Sequence, residues 1–126
     1  MKERKKVLYV DDEPINLLIL KRILDKKYEV ITAESGHEAL SILEEKAEIE
    51  LIISDLKMTG MSGMEFIQEA QKRFETKKYF VLSSYTINDE MQKALDNKII
   101  LAYFEKPAEA AHIDKVLQEN INNSGN

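Results

Sequence analysis

Five short apolar runs, at residues 7–10, 28–32, 51–53, 79–82 and 99–104, recur along the 126-residue chain, and between them apolar residues fall at helical spacing. Runs that are continuously apolar, with no polar alternation, belong to strands covered on both faces. Strands that return after each helix pair in parallel through right-handed crossovers. The pattern therefore predicts an α/β fold: a doubly wound, five-stranded parallel sheet with helices on both faces.

The intervening stretches carry helix signals. Pro14 suits a first turn, and Ile15, Leu18, Ile19, Arg22 and Ile23 follow helical spacing. Ser35-Gly36-His37-Glu38 has capping-box form, with Ala39, Leu40, Leu43 and Ala47 continuing an apolar face. Ser62-Gly63-Met64-Glu65 is a second box, opening a helix with Phe66, Ile67, Ala70 and Phe74 inward. A further helix is expected from Thr86 or Asn88 to about Asp96, and a last one from Ala108 to about residue 121. The domain is expected over 1–121, with 122–126, Asn-Asn-Ser-Gly-Asn, as a frayed polar tail.

Strand ends are where this architecture places chemistry, because open α/β sheets bind ligands at the carboxyl edge. The first run is followed by Asp11 and Asp12, the third by Asp55, the fourth by Ser83 and the fifth by Lys106-Pro107. Three carboxylates in one crevice need a positive partner, since like charges would otherwise force protonation. All-oxygen ligation suits Mg²⁺, which commonly shares its site with phosphate. Lys106 would supply a second cation and Ser83 a hydroxyl donor for phosphate oxygens, and one carboxylate can itself act as nucleophile.

Composition narrows the function classes. The length fits one domain able to bury a core without staples. Cysteine is absent, which removes disulfides and thiolate metal sites. The apolar run after the basic start is too short for a signal peptide or a membrane span, so a cytoplasmic protein is expected. With 23 acidic against 18 basic residues the net charge is −5, which argues against nucleic acid as a direct partner.

Asp11-Asp12, Asp55 within Asp-Leu-Lys-Met-Thr-Gly-Met-Ser-Gly (55–63), Ser83 and Lys106-Pro107, in this order and at these intervals, resemble the receiver domain of two-component response regulators, from about Lys5 to Ile121. The resemblance implies the flavodoxin-like (βα)5 fold with strand order 2-1-3-4-5. It implies that Asp55 accepts a phosphoryl group from a sensor histidine kinase or a histidine phosphotransfer protein. It further implies Mg²⁺ held by Asp12, by Asp11 through water, by Asp55 and by the backbone carbonyl of Lys57. Ser83 and Lys106 would hold phosphoryl oxygens, and the bond between Lys106 and Pro107 would be cis. Tyr103 matches the aromatic switch residue, with Ile87, Met91 and Leu95 as candidates for partner contacts on the readout face.

Some positions depart from the family pattern. Thr59 stands where proline is usual, which leaves the loop after Asp55 less preorganised. Ser84 replaces a common alanine or glycine, and Asn97-Lys98-Ile99-Ile100 replaces a frequent Gly-Ala. Lys57 and Tyr85 occupy the two variable positions that flank the path of water to the phosphoryl group, and the bulk of Tyr85 is expected to slow hydrolysis.

Taken singly, each signal has a plainer explanation. Asp11, Asp12 and Asp55 suit turns and caps, and Lys106-Pro107 suits a turn before a helix. Tyr103 can simply pack its ring and wet its hydroxyl. Met58, Met61 and Met64 fit packing, because Mg²⁺ rejects thioether sulfur. His37 and His112 are expected on exposed helix surface, and residues 44–50 on a solvated face. Convergence at four strand ends favours the phosphorylation site.

Three function classes follow. The first is a phosphorylation-controlled signalling module, not an enzyme in the ordinary sense, acting through a separate effector or an output domain outside this sequence. The alternative is a receiver-like interaction domain that is never phosphorylated. The third, a phosphate-ester hydrolase with an aspartyl nucleophile, lacks its usual second acid, since Leu56 and Lys57 follow Asp55. Homodimerisation through the fourth and fifth helices stays open.

Overall fold

The computed structural model describes residues 4–123. Strands and helices alternate throughout: β1 (Lys5–Val10), α1 (Pro14–Leu24), β2 (Tyr28–Ala33), α2 (Gly36–Glu45), β3 (Leu51–Ser54), α3 (Gly63–Arg73), β4 (Lys78–Ser83), α4 (Asp89–Asp96), β5 (Ala102–Glu105) and α5 (Ala110–Asn123). All neighbouring strands are parallel and the sheet order is β2-β1-β3-β4-β5, the doubly wound flavodoxin-like arrangement.

Two cores sandwich the sheet. On one face Leu8, Val10, Ile52, Tyr79 and Val81 meet Leu40, Leu43, Phe66 and Ile67. On the other, Tyr9, Ile53, Phe80 and Phe104 meet Leu17, Leu20, Ile113 and Leu117. Alternation of side chains along each strand sends successive residues to opposite cores.

Helix caps follow the sequence signals in part. Ser62 and Glu65 form a complete capping box at α3. At α2 the Ser35 hydroxyl accepts from the Glu38 amide, whereas the Glu38 carboxylate accepts from the amide of Glu34 instead of that of Ser35. Asn88, not Thr86, caps α4 by accepting from the Met91 amide.

Four details differ from the sequence-based expectation. The stripe Ile15, Leu18, Ile19 and Ile23 faces outward on α1, because Leu17, Leu20 and Leu24 occupy the inward face of a helix that is apolar nearly all round. Helix α2 ends at Glu45, so Ala47 lies beyond it and is exposed. Met91 is buried in the core and offers no surface to a partner, while Ile87 is partly exposed. Finally, β5 begins at Ala102 and not at Ile99, since the amides of Lys98, Ile99 and Ile100 donate back to α4 carbonyls and complete its exit.

Helix α5 extends through Asn123, two residues into the stretch expected as tail. Residues 124–126 lie outside the described residues. Both histidines are exposed, His112 setting its ring edge-on to Phe104.

Candidate functional site

Strand parity assembles the site. Tyr9 and Asp11, Ile53 and Asp55, and Phe104 and Lys106 are each two residues apart. The second member of each pair therefore projects past the strand end toward the same side of the sheet as the first, which belongs to the α1/α5 core. The Lys106 ammonium sits between the two acids, 3.0 Å from Asp11 Oδ2 and 3.0 Å from Asp55 Oδ2. Asp11 is fully buried and Asp55 nearly so. Lys106 also adopts the cis bond to Pro107.

Residues that sequence reasoning missed complete this cluster. The Tyr9 hydroxyl donates to Asp11 Oδ2 at 2.6 Å, and the Glu13 amide donates to Asp11 Oδ1 at 2.9 Å. Buried Ser54 donates its hydroxyl to the Asp55 carbonyl at 2.8 Å, and the Leu56 amide donates to Asp55 Oδ1 at 2.7 Å. Period-two spacing from Asp11 to Tyr9 is the signal that would have found the tyrosine.

Electrostatics separate the two acids. Burial penalises the charge on Asp11, yet the hydrogen bonds from Tyr9 and the Glu13 amide, together with Lys106, hold it below the ordinary carboxylate range. Asp55 is pushed above that range, by burial first and by the neighbouring Asp11 charge, with Lys106 opposing both. Lys106 is itself held above the usual lysine range, because its two carboxylate partners outweigh its desolvation. Burial, with Asp11 adding to it, keeps Tyr9 firmly protonated as a donor.

Asp12 stands apart from this trio. Its Oδ2 accepts from both the amide and the hydroxyl of Thr59, at 2.9 and 3.2 Å. Both residues line an open groove of about 600 Å³ together with Leu56, Lys57, Asn88 and Met91. Among the described residues no group of three or more His, Cys, Asp or Glu side chains stands ready to hold a metal ion.

The donor chemistry nonetheless fits a hard divalent cation. Asp11, Asp12 and Asp55 offer oxygen only, and the single charge of Lys106 balances one of the two buried carboxylates and leaves a net negative pair.

Ser83 and Tyr103 belong to the opposite side of the sheet. Ser83 is fully buried, with its hydroxyl accepting from the Tyr85 amide at 3.2 Å. The Tyr103 ring packs against the core formed by α2, α3 and α4, and its hydroxyl donates to the Tyr85 carbonyl at 2.7 Å. The exposed Tyr85 ring lies under the Lys57 ammonium, 5.1 Å from centroid to nitrogen. The loop that follows β4 thus joins Ser83, Tyr85 and Tyr103 through its own backbone.

Residues 7–118 match the family model described as the response regulator receiver domain. The chain belongs to the response regulator receiver family. Among curated relatives, this receiver is 31% identical to the transcriptional regulatory protein GlrR of Escherichia coli over 120 residues, covering 94% of this chain and 26% of GlrR. It is 29% identical to the hydrogenase transcriptional regulatory protein HoxA of Cupriavidus necator over 119 residues, 94% of this chain and 24% of HoxA. The receiver therefore spans about a quarter of the length of these two relatives.

Solved receivers superpose closely. A response regulator receiver domain protein from Clostridium thermocellum gives a TM-score of 0.88 at 29% identity, covering 96% of this chain and 97% of that one. The chemotaxis protein CheY4 of Vibrio cholerae gives 0.83 at 30% identity, covering 93% and 98%. The response regulator TrrA of Thermotoga maritima, solved in complex with Mg²⁺ and BeF, gives 0.78 at 30% identity, covering 91% and 97%. Receiver domains are signalling modules of two-component systems that work with histidine kinases and with output or effector domains, and they depend on Mg²⁺. No described helix of this receiver is long and apolar enough to cross a membrane.

Proposed function

We propose that Asp55 is the phosphoacceptor of this receiver, taking a phosphoryl group from a histidine of a sensor kinase or phosphotransfer protein in a Mg²⁺-dependent reaction. The observation that carries the reading is the Lys106 ammonium, held 3.0 Å from both Asp55 and Asp11 on a buried strand edge. A lysine placed there balances the nucleophile's charge beforehand and is then available to the phosphoryl oxygens.

In the reaction an Asp55 carboxylate oxygen attacks phosphorus in line. The O–P bond forms as the P–N bond to the donor imidazole breaks, and the leaving nitrogen takes a proton. Negative charge spreads over the equatorial oxygens, where the Lys106 ammonium and the Ser83 hydroxyl donate. Asp12, Asp55, the Lys57 carbonyl and, through water, Asp11 would hold Mg²⁺, which when bound would neutralise charge on the phosphoryl oxygens.

Phosphorylation of Asp55 changes the partners of Ser83. Its hydroxyl leaves the Tyr85 amide for the phosphoryl group, and the Tyr85–Tyr103 hydrogen bond passes the rearrangement to the face formed by α4, β5 and α5. The readout goes to a cytoplasmic effector protein or to an output domain of a longer regulator.

Intact mass after incubation with Mg²⁺ and acetyl phosphate tests the proposal. One added phosphoryl group is expected, absent from Asp55→Asn and from a chelated sample. Failure to load, with no beryllofluoride response in the amide spectrum, would leave an interaction domain that works without phosphorylation.

A further inference from the structure

Thr59 spends both of its polar donors on one atom. Its amide and its hydroxyl converge on Asp12 Oδ2, at 2.9 and 3.2 Å. No other hydrogen bond to the Asp12 carboxylate is seen among the described residues, and Lys106 is occupied by Asp11 and Asp55 instead. The two donors sit on the loop after β3, two residues beyond Lys57, and face the groove side of the site.

Hydrogen bonds to an ionised carboxylate are stronger than neutral ones, and two on the same oxygen fix the carboxylate's orientation as well as its position. A cation that draws Asp12 toward Asp11 and Asp55 must turn the carboxylate against the two Thr59 bonds on Oδ2, and in that sense it competes with Thr59. Proline at this position offers neither an amide hydrogen nor a hydroxyl, so the competition belongs to the threonine.

We propose that Thr59 is a positioning residue that holds the Asp12 carboxylate away from the Asp11–Asp55 pair and so weakens divalent-cation binding at the acceptor site. The inference rests on the reading of these acids as the Mg²⁺ site. It makes the metal requirement of this chain depend on a loop residue that touches neither the phosphoacceptor nor the lysine.

Calorimetric Mg²⁺ titration of the unphosphorylated full chain tests it, with amide NMR shifts of the loop after β3 as a second readout. Thr59→Pro, which removes both donors, is expected to lower the Mg²⁺ Kd by about tenfold. Thr59→Val keeps the amide and should fall between that variant and the parent, whereas Thr59→Ser keeps both donors and should match the parent. Thr59→Val also carries the test if the proline variant fails to fold. An unchanged or higher Kd in folded Thr59→Pro and Thr59→Val would overturn the proposal, because Thr59 would then be neutral or would orient Asp12 for the metal. Asp12→Asn separates the two levels of inference. Loss of Mg²⁺ binding in that variant upholds the metal site, while parent-like binding would reject the site itself.

Discussion

The Lys57 ammonium stands over the ring of Tyr85, 5.1 Å from its centroid, and ties the loop after β3 to the loop after β4. The two residues flank Asp55 and Ser83 at equal distance along the chain, each two positions beyond the strand-end residue. Such a pair at an exposed site contributes about 0.5–1 kcal/mol. If it closes the approach of water to the phosphoryl group, Tyr85→Ala should shorten the phosphorylated lifetime by roughly two- to fivefold, the factor that energy represents. Tyr85→Phe keeps the ring under the ammonium and should decay like the parent. The decay of the phosphorylated mass after removal of acetyl phosphate measures both.

Asp55 burdens the metal-free fold. Burial, and the Asp11 charge beside it, lift its carboxyl above the usual range, and Lys106 only partly offsets them. A carboxyl whose folded value lies above its unfolded value favours folding below the unfolded value, and loses that contribution as pH rises through the folded one. At neutral pH the ionised Asp55 therefore works against folding. Asp55→Asn should raise the metal-free melting midpoint at pH 7. The difference should shrink as pH falls into the range where Asp55 is protonated. Thermal melts followed by circular dichroism at several pH values decide it. A variant that melts below the parent at pH 7 would contradict this account.

The residues legible in the sequence were those whose signal is local. Ser62 and Glu65 form the box that their spacing announces, and Asp11, Asp55 and Lys106 meet because each follows an apolar run. What the sequence concealed depends on choices between equivalent patterns. Helix α1 offers two apolar stripes, and only packing against β1 and α5 selects Leu17, Leu20 and Leu24 over Ile15, Leu18 and Ile19. Asp12 and Thr59 are 47 residues apart, so their contact has no sequence signature. Tyr9 was readable from strand parity with Asp11, but a tyrosine inside an apolar run reads first as core, and it is that as well.

Gly63 marks where α3 begins against the acceptor strand. A Cβ added there would stand 1.9 Å from the Asp55 carbonyl oxygen and 2.8 Å from the Leu56 Cα, both backbone atoms that cannot step aside. Gly63→Ala should cost more than about 3 kcal/mol, or displace Asp55 if α3 shifts to make room. Gly60 is the contrast, with φ of +81° and open space around it. Its alanine variant meets only backbone strain, about 1 kcal/mol. Urea unfolding of the two variants should rank them in that order, and phosphoryl loading of any folded Gly63→Ala protein should be impaired.

Lys98 carries the left-handed turn that ends α4. Its φ is +59°, the Lys98 amide donates to the Leu95 carbonyl, and the Ile99 amide donates to the Ala94 carbonyl. These two bonds define a Schellman exit, whose left-handed position glycine usually fills because a Cβ crowds the following carbonyl there. The same turn explains why Ile99 and Ile100 pack against the core from a loop and why β5 starts only at Ala102. Lys98 is exposed, so its side chain gives up little when it is removed. Relief of the left-handed strain, about 1–2 kcal/mol, outweighs the extra chain entropy of glycine, about 0.5–1 kcal/mol. Lys98→Gly should therefore stabilise the protein by roughly 0.5–1 kcal/mol, read as a higher urea midpoint at an unchanged slope. Lys98→Ala retains the Cβ and should show no such gain, so that a gain in both variants would point to surface charge and not to the backbone.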